Sequence, residues 1–474
     1  MASSSISLLG MVSIVLAACA PGSVTSTATP ASSAAVAIAS SAPAGPGAPG
    51  APGGPNASGA PGAPGNAAGG GSTAQYTPTG VYTISTGSVS KSGVTYTGTE
   101  EDQSAVLVTG SGSLTLANAT IVTSGASKSS DESSFYGLDA GVLAQSGGTV
   151  TLTGGSVTTT GNGANGVFAY GSRASVTVTN AAIKATGQYA HGAMASGGGT
   201  VTVTDTTIST AGANSGAIAT DRGGGAITVS GGSVTTSGQD SPAIYSTGAI
   251  SATGGTYTAT GAEAAVIEGA NSLTLTDATL TSSKADKWGV LIYQSMSGDA
   301  SGTKGTFTMT GGSLSYTAST GPLFYVTNST GVITLKGVTV TAAGGVLVKA
   351  AAGNWGTSGS NGGTVVFTAD GETLTGDLVS DSSSSIAATL KNGTTLTGMI
   401  DSAALTLDAT SVWNVTGDSQ LTSLSDASGI SGTVITNIKG NGHTVYYDAS
   451  LAANSALGGR TYSLAGGGQL KPQS

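Results

Sequence analysis

Apolar residues recur along this chain on two scales. Over short stretches they alternate strictly with Thr, as in VTLT (Val150–Thr153), VTVT (Val176–Thr179 and again Val201–Thr204) and LTLT (Leu273–Thr276). A period of two buries one set of side chains and wets the other, so these stretches predict strands. On the longer scale one apolar position returns as Ile121, Val157, Ile183, Ile208, Val234, Tyr257, Leu280, Leu314 and Val340, at intervals of 23 to 36 residues. GGSVTTTG (154–161) and GGSVTTSG (231–238) are this unit seen three intervals apart. A period in the twenties is that of a solenoid, with the longer intervals marking insertions at a corner.

Three residues before each recurring apolar position stands Asn118, Gly154, Asn180, Asp205, Gly231, Gly254, Asp277, Gly311 or Gly337. All are types that tolerate a left-handed backbone, which predicts a sharp corner in every repeat. The alternating strand precedes the corner and a second strand (SVTTT, TISTA) follows it. A third lies upstream: GVLAQ, GVFAY, GAMAS, GAIAT, PAIYS and AVIEG, beginning at residues 141, 166, 192, 216, 242 and 265. Three strands per coil of about 25 residues predict an all-β, right-handed parallel β-helix, a solenoid in which each coil pairs with the next. An antiparallel sandwich has no reason to keep so long a register.

Composition narrows the partners. Only 8% of residues are charged, Lys and Arg together number 14, and the formal net charge is -9. No basic cluster exists to neutralise a run of phosphates, so nucleic acid is excluded as the expected partner. Cys19 is the single cysteine, so no internal disulfide is expected.

The N-terminal region reads differently from the repeats. Ile6 to Ala18 is a short apolar run ending in LAAC (Leu16–Cys19), below the roughly 20 residues of a bilayer span. It has the form of a signal peptide over 1–18, although no Lys or Arg precedes the run, and LAAC resembles the bacterial lipobox, which implies lipidation at Cys19 and a membrane anchor. Residues 19–75, rich in Ala, Gly, Pro and Ser with GAPGAPG twice, are expected to form a flexible tether. The β-helix is expected over 76–400, and its last coils with a C-terminal cap over 401–474. There Trp413, Tyr446, Tyr447 and Tyr462 supply bulk to cover the final apolar cross-section.

The coils resemble bacterial surface β-helix proteins, both autotransporter passenger domains and uncharacterised secreted, adhesin-like lipoproteins. FYGLDAGVLAQS, ATDRGGG, SPAIYSTG, KWGVLIYQSMSGDA, GPLFYVTN, NWGTSGSNGG and GHTVYYDASLAANSALGGRTYSLAGGG carry the second resemblance; SVWNVTGDSQLTSL carries the first. The resemblance implies an exported protein at the cell surface or outer membrane. It says little about activity.

Candidate chemistry is sparse. The acidic candidates are Glu100, Glu101 and Asp102, Asp131 and Glu132, Asp221 beside Arg222, and Glu263 and Glu268. Asp221 and Arg222 read as a corner with an ion pair between them. His191 and His443 fall in different coils, so neither a Ser/His/Asp triad nor a metal site is expected. We therefore expect no catalytic residues, no metal and no cofactor.

Two ladders remain as binding surfaces. With Leu143, Phe168, Met194, Ile218, Ile244, Ile267, Phe324 and Leu347 taken as the inward column, the neighbouring column points out: Ala144, Ala169, Ala195, Ala219, Tyr245, Glu268, Tyr293 and Tyr325. Tyr245, Glu268, Tyr293 and Tyr325, with Gln294, Asp299 and Asn328 from the loops, are then expected to form an exposed glycan-binding strip. The alternating strand has its own outward column (Thr151, Thr177, Thr202, Thr228, Ser251, Thr274, Thr308, Thr334), flanked by Thr153, Thr179, Thr204, Ser230, Thr253, Thr276, Thr310 and Lys336. Such an array resembles the face of β-helical ice-binding proteins and is also an ordinary outward surface. The functional expectation is a non-catalytic adhesin or polysaccharide-binding structural protein. The alternatives are a polysaccharide lyase or hydrolase of the pectin-lyase-like fold, and an ice-binding protein.

Overall fold

The computed structural model describes residues 77–473. The signal peptide, tether and lipidation at Cys19 expected from the sequence fall outside them. Strands follow one another in the expected rhythm, three to a coil, and nearly all pair in parallel with their counterparts one coil away. One coil consists of Val142–Gln145, Thr149–Thr153 and Ser156–Thr159; the next repeats it as Val167–Tyr170, Ser175–Thr179 and Ala182–Ala185. We call the three stacks the first, second and third faces, in chain order. The fold is thus a parallel β-helix.

All nine expected corners are present. Asn118, Gly154, Asn180, Asp205, Gly231, Gly254, Asp277, Gly311 and Gly337 have φ between 44° and 66°. Some corners are also tight sterically: a Cβ on Gly231 would stand 2.2 Å from Oδ1 of Asp205, one coil below. Behind these corners the apolar column runs in register, Ile121 against Val157, then Ile183, Ile208, Val234, Tyr257, Leu280, Leu314 and Val340. All but Val340 are fully buried. Fixed register keeps like against like along the axis and makes the core continuous.

The first face departs from expectation by one residue. Met194 pairs with Ala219 and Ala193 with Ile218, whereas GAMAS laid on GAIAT puts Met194 opposite Ile218. A one-residue slip sends each side chain to the other side of the sheet. The inward columns are therefore Val142, Val167, Ala193, Ile218, Ile244, Ala265, Val290 and Phe324, with Ala144, Ala169 and Ala195 beside the first three. Leu143, Phe168, Met194, Ala219, Tyr245, Val266, Leu291 and Tyr325 point the other way and form a second, smaller apolar cluster.

The C-terminal end closes the solenoid by breaking its pattern. Short antiparallel pairings join Ile430–Ser431 to Val434–Lys439 and Tyr462–Ala465 to Gln469–Pro472. Trp413, Tyr447 and Tyr462 are buried there, while Tyr446 is half-buried. No helix of the described residues is long and apolar enough to cross a membrane.

Candidate functional site

The outer side of the first face is not open to solvent. An insertion carrying helix α1 (Ser130–Tyr136) lies over the early coils, with Ser129 capping its N-terminus through Glu132 N and Gly137 ending it in a left-handed conformation. Ser196 Oγ donates to Phe135 O at 2.6 Å, tying this helix to the sheet. Further along, the loops after Tyr293 and after Ala350 supply the cover. A parallel sheet covered on both sides reads as an unbroken apolar run, and VLIY (290–293) and PLFYV (322–326) are such runs.

This corrects the exposed glycan strip. Tyr245, Glu268, Tyr293, Gln294, Asp299 and Tyr325 are buried, and Asn328 is half-buried. Their polar atoms are engaged in holding the cover down. Tyr245 and Tyr293 hydroxyls both donate to Glu268 Oε2, at 2.5 and 2.9 Å, and Ser295 donates its hydroxyl and its amide to Oε1. Gln294 Nε2 donates to Gly302 O at 2.8 Å, and Asn328 Nδ2 donates to Gln294 O at 2.7 Å. The Tyr325 hydroxyl reaches Ala352 O at 3.3 Å, beneath a stacked Trp288 ring at 4.6 Å. Trp355 sits 4.5 Å from the Tyr293 ring. These residues anchor the inserted loops to the coils.

A charged seam joins the two insertions. Arg222 stacks over the Phe135 ring of α1 at 3.8 Å and donates to Asp299 Oδ1 in the later loop at 3.0 Å. Its ion pair is therefore with Asp299, 77 residues away, and not with Asp221. Asp221 instead accepts the Arg222 backbone N–H. Burial raises the carboxyl of Asp221 well above the usual range, helped by the nearby Asp299 and Glu268, and burial likewise raises Glu268. These carboxyls are walled off from the surface and hold the loops to the coils.

The other acidic and basic candidates are scattered. Glu101 pairs with Lys128 at the surface. His191 is fully buried, its Nδ1 3.1 Å from Gly216 O, and burial lowers it to about 4, so its ring is neutral near pH 7. His443 lies 3.8 Å from Asp418, far along the chain. Among the described residues no group of three or more His, Cys, Asp or Glu side chains is placed to hold a metal ion.

The second face presents the most regular surface of the molecule. In-register pairing runs Ser90, Thr115, Thr151, Thr177, Thr202, Thr228, Ser251, Thr274, Thr308, Thr334, Thr368, Thr389, Thr406 and Ser425. Every coil from 88 to 425 thus places a hydroxyl at one outward position, at a repeat of roughly 4.8 Å. Beside it runs the column Thr153, Thr179, Thr204, Ser230, Thr253, Thr276 and Thr310, roughly 7 Å away, two residues along each strand. The first charge in that column is Lys336, followed by Asp370 and Lys391. Eight of these, Thr151 to Thr334, are the column expected from the repeat; Ser90, Thr115 and the coils from Thr368 onward extend it. Compared with known proteins, the chain matches no family model and no curated protein.

Proposed function

We propose that this protein is a non-catalytic binding scaffold of the cell exterior, lipid-anchored through Cys19, whose second face holds extended, uncharged polysaccharide. The observation that supports this reading is the unbroken hydroxyl column of the second face, with its neighbour two residues away. Each Thr offers a donor, an acceptor and a methyl group, matching the mixed hydroxyl and C–H surface of a sugar chain. Weak contacts repeated over many coils add up along a polymer, so affinity rises with chain length. The test is sedimentation of the full chain with insoluble neutral polysaccharides. Binding lost in Thr151→Lys/Thr202→Lys/Ser251→Lys, on alternate coils, supports the reading; no retention, or retention unchanged by that variant, rejects it. Release of reducing or unsaturated ends from the same polymers would favour the lyase or hydrolase alternative.

The same columns favour a second reading. Paired Thr-x-Thr positions in successive coils make a two-dimensional lattice, which an ordered surface such as ice fits as well as a polymer does. Thermal hysteresis in the purified chain separates the two, since polysaccharide binding produces none.

A further inference from the structure

At the corner between the third and first faces, three side chains from successive coils meet under cover. Lys287 reaches back across the coil that carries Glu263 and donates from Nζ to Asp240 Oδ1 at 2.7 Å. Nζ lies 3.9 Å from Glu263 Oε1. The Lys287 and Asp240 side chains are 9% and 13% exposed and Glu263 is wholly buried. Neither carboxylate oxygen of Glu263 has a hydrogen-bond partner. Tyr316, whose hydroxyl donates to the carbonyls of Lys284 and Lys287 at 2.8 Å, fixes the segment that delivers the amine. Gln239 Nε2 holds the other oxygen of Asp240 at 3.1 Å.

We infer that Lys287 and Asp240 become joined by an intramolecular isopeptide bond, with Glu263 as the proton carrier. The Lys287 amine is spent on Asp240 and reaches Glu263 only at the 3.9 Å margin of an ion pair, and a buried carboxylate with no hydrogen-bond donor on either oxygen is costly unless it is protonated. Burial indeed raises its carboxyl to about 7. In that state it is a general acid and base next to an amine already in contact with a carboxyl, the two reactants held as neighbours by the fold.

The step balances without any co-reactant. A proton passes from the Lys287 ammonium to Asp240 along their hydrogen bond, leaving a free amine and a carboxylic acid. The nitrogen lone pair attacks Asp240 Cγ, forming the C–N bond. Glu263 gives its proton to the departing hydroxyl and takes one from the nitrogen, so the C–O bond breaks, water leaves and an amide remains. The link ties a loop two coils away onto the 237–241 corner and makes that part of the solenoid resistant to shear.

Trypsin cuts after Arg222, Lys284 and Lys304 but does not cut at an acylated Lys287. Digestion of the denatured full chain is therefore expected to leave 223–284 joined to 285–304, one water lighter than the two peptides together, with fragmentation placing the link at Asp240 and Lys287. Lys287→Arg must abolish the joined species, and Glu263→Gln must remove most of it. Cleavage after Lys287 with unmodified peptide masses in the wild-type chain overturns the proposal. A joined species undiminished in Glu263→Gln overturns the role of Glu263. Because the wild-type digest decides the bond by itself, a variant that fails to fold does not shield the proposal.

Discussion

Glu268→Ala is the sharpest perturbation of the covered first face. The substitution removes the shared acceptor of the Tyr245 and Tyr293 hydroxyls, both fully buried, and of the Ser295 hydroxyl and amide. A buried donor left without a partner costs about 1–3 kcal/mol, so the two tyrosines together forfeit about 2–6 kcal/mol. Ser295, half-buried, loses two further bonds to Oε1, from its hydroxyl and its amide. The tyrosine cost falls on the coils that carry them, whereas the loop loses the two Ser295 bonds that fasten it, and with them the chain in which the amides of Met296, Ser297 and Asp299 donate to side chains of the same network. If even about 2 kcal/mol appears as easier local opening, exchange of those amides quickens about 30-fold. Hydrogen exchange read by mass spectrometry on peptides covering 294–303 measures this, with 363–391 as an internal control expected not to change. Glu268→Gln, which keeps a carbonyl oxygen for the hydroxyls, is expected to fall between wild type and Ala. Unaltered exchange at 294–303 in Glu268→Ala would show that the loop is held by something other than this carboxylate, and the account of the first face would fail.

Three further outcomes are expected. Gly231→Ala is expected to destabilise the chain more than Gly254→Ala in denaturant unfolding: both carry the left-handed cost of about 1–2 kcal/mol, but only at Gly231 does the new Cβ stand 2.2 Å from Asp205 Oδ1, the nearest atom to Gly254 being 3.9 Å away. Tyr257→Phe should leave stability unchanged or raise it by about 1 kcal/mol, since the buried hydroxyl has no partner to lose, whereas Tyr257→Ala should cost about 3–5 kcal/mol through its cavity. Burial raises Asp139 from 3.8 to about 6; the folded chain then holds a proton that the unfolded chain has released, so this contribution is complete below pH 4 and is lost as pH rises through 6. It amounts to about 3 kcal/mol, and Asp139→Asn should flatten the corresponding slope in a pH series of unfolding curves.

Legibility followed local chemistry. The corners were readable because each needs a residue that tolerates positive φ, and nine of nine positions named from the sequence adopt it. The alternating strands were readable because the second and third faces have one wet side. The first face was not, for two physical reasons. Its strands are buried on both sides, so no alternation marks which residues point inward, and GAMAS aligned on GAIAT looks better than the true pairing of Ala193 with Ile218. Its cover comes from insertions, whose contacts no repeat can foretell: Arg222 finds Phe135 and Asp299, and Lys287 finds Asp240, across 47 to 87 positions of chain. The unbroken apolar runs VLIY and PLFYV were the available sign of a covered sheet, and the aromatic residues of the two longest insertions were the available sign of what covers it.

The central functional claim is that polymer lies on the second face, and thiol protection tests it most directly. Thr202→Cys places a reporter in the hydroxyl column and Thr235→Cys one on the exposed third face, a coil further on. Maleimide labelling of each, with and without the polysaccharide that retains the wild-type chain, should be slowed at 202 and unchanged at 235. Equal rates at 202 with and without polymer, or protection at 235 instead, would contradict the account.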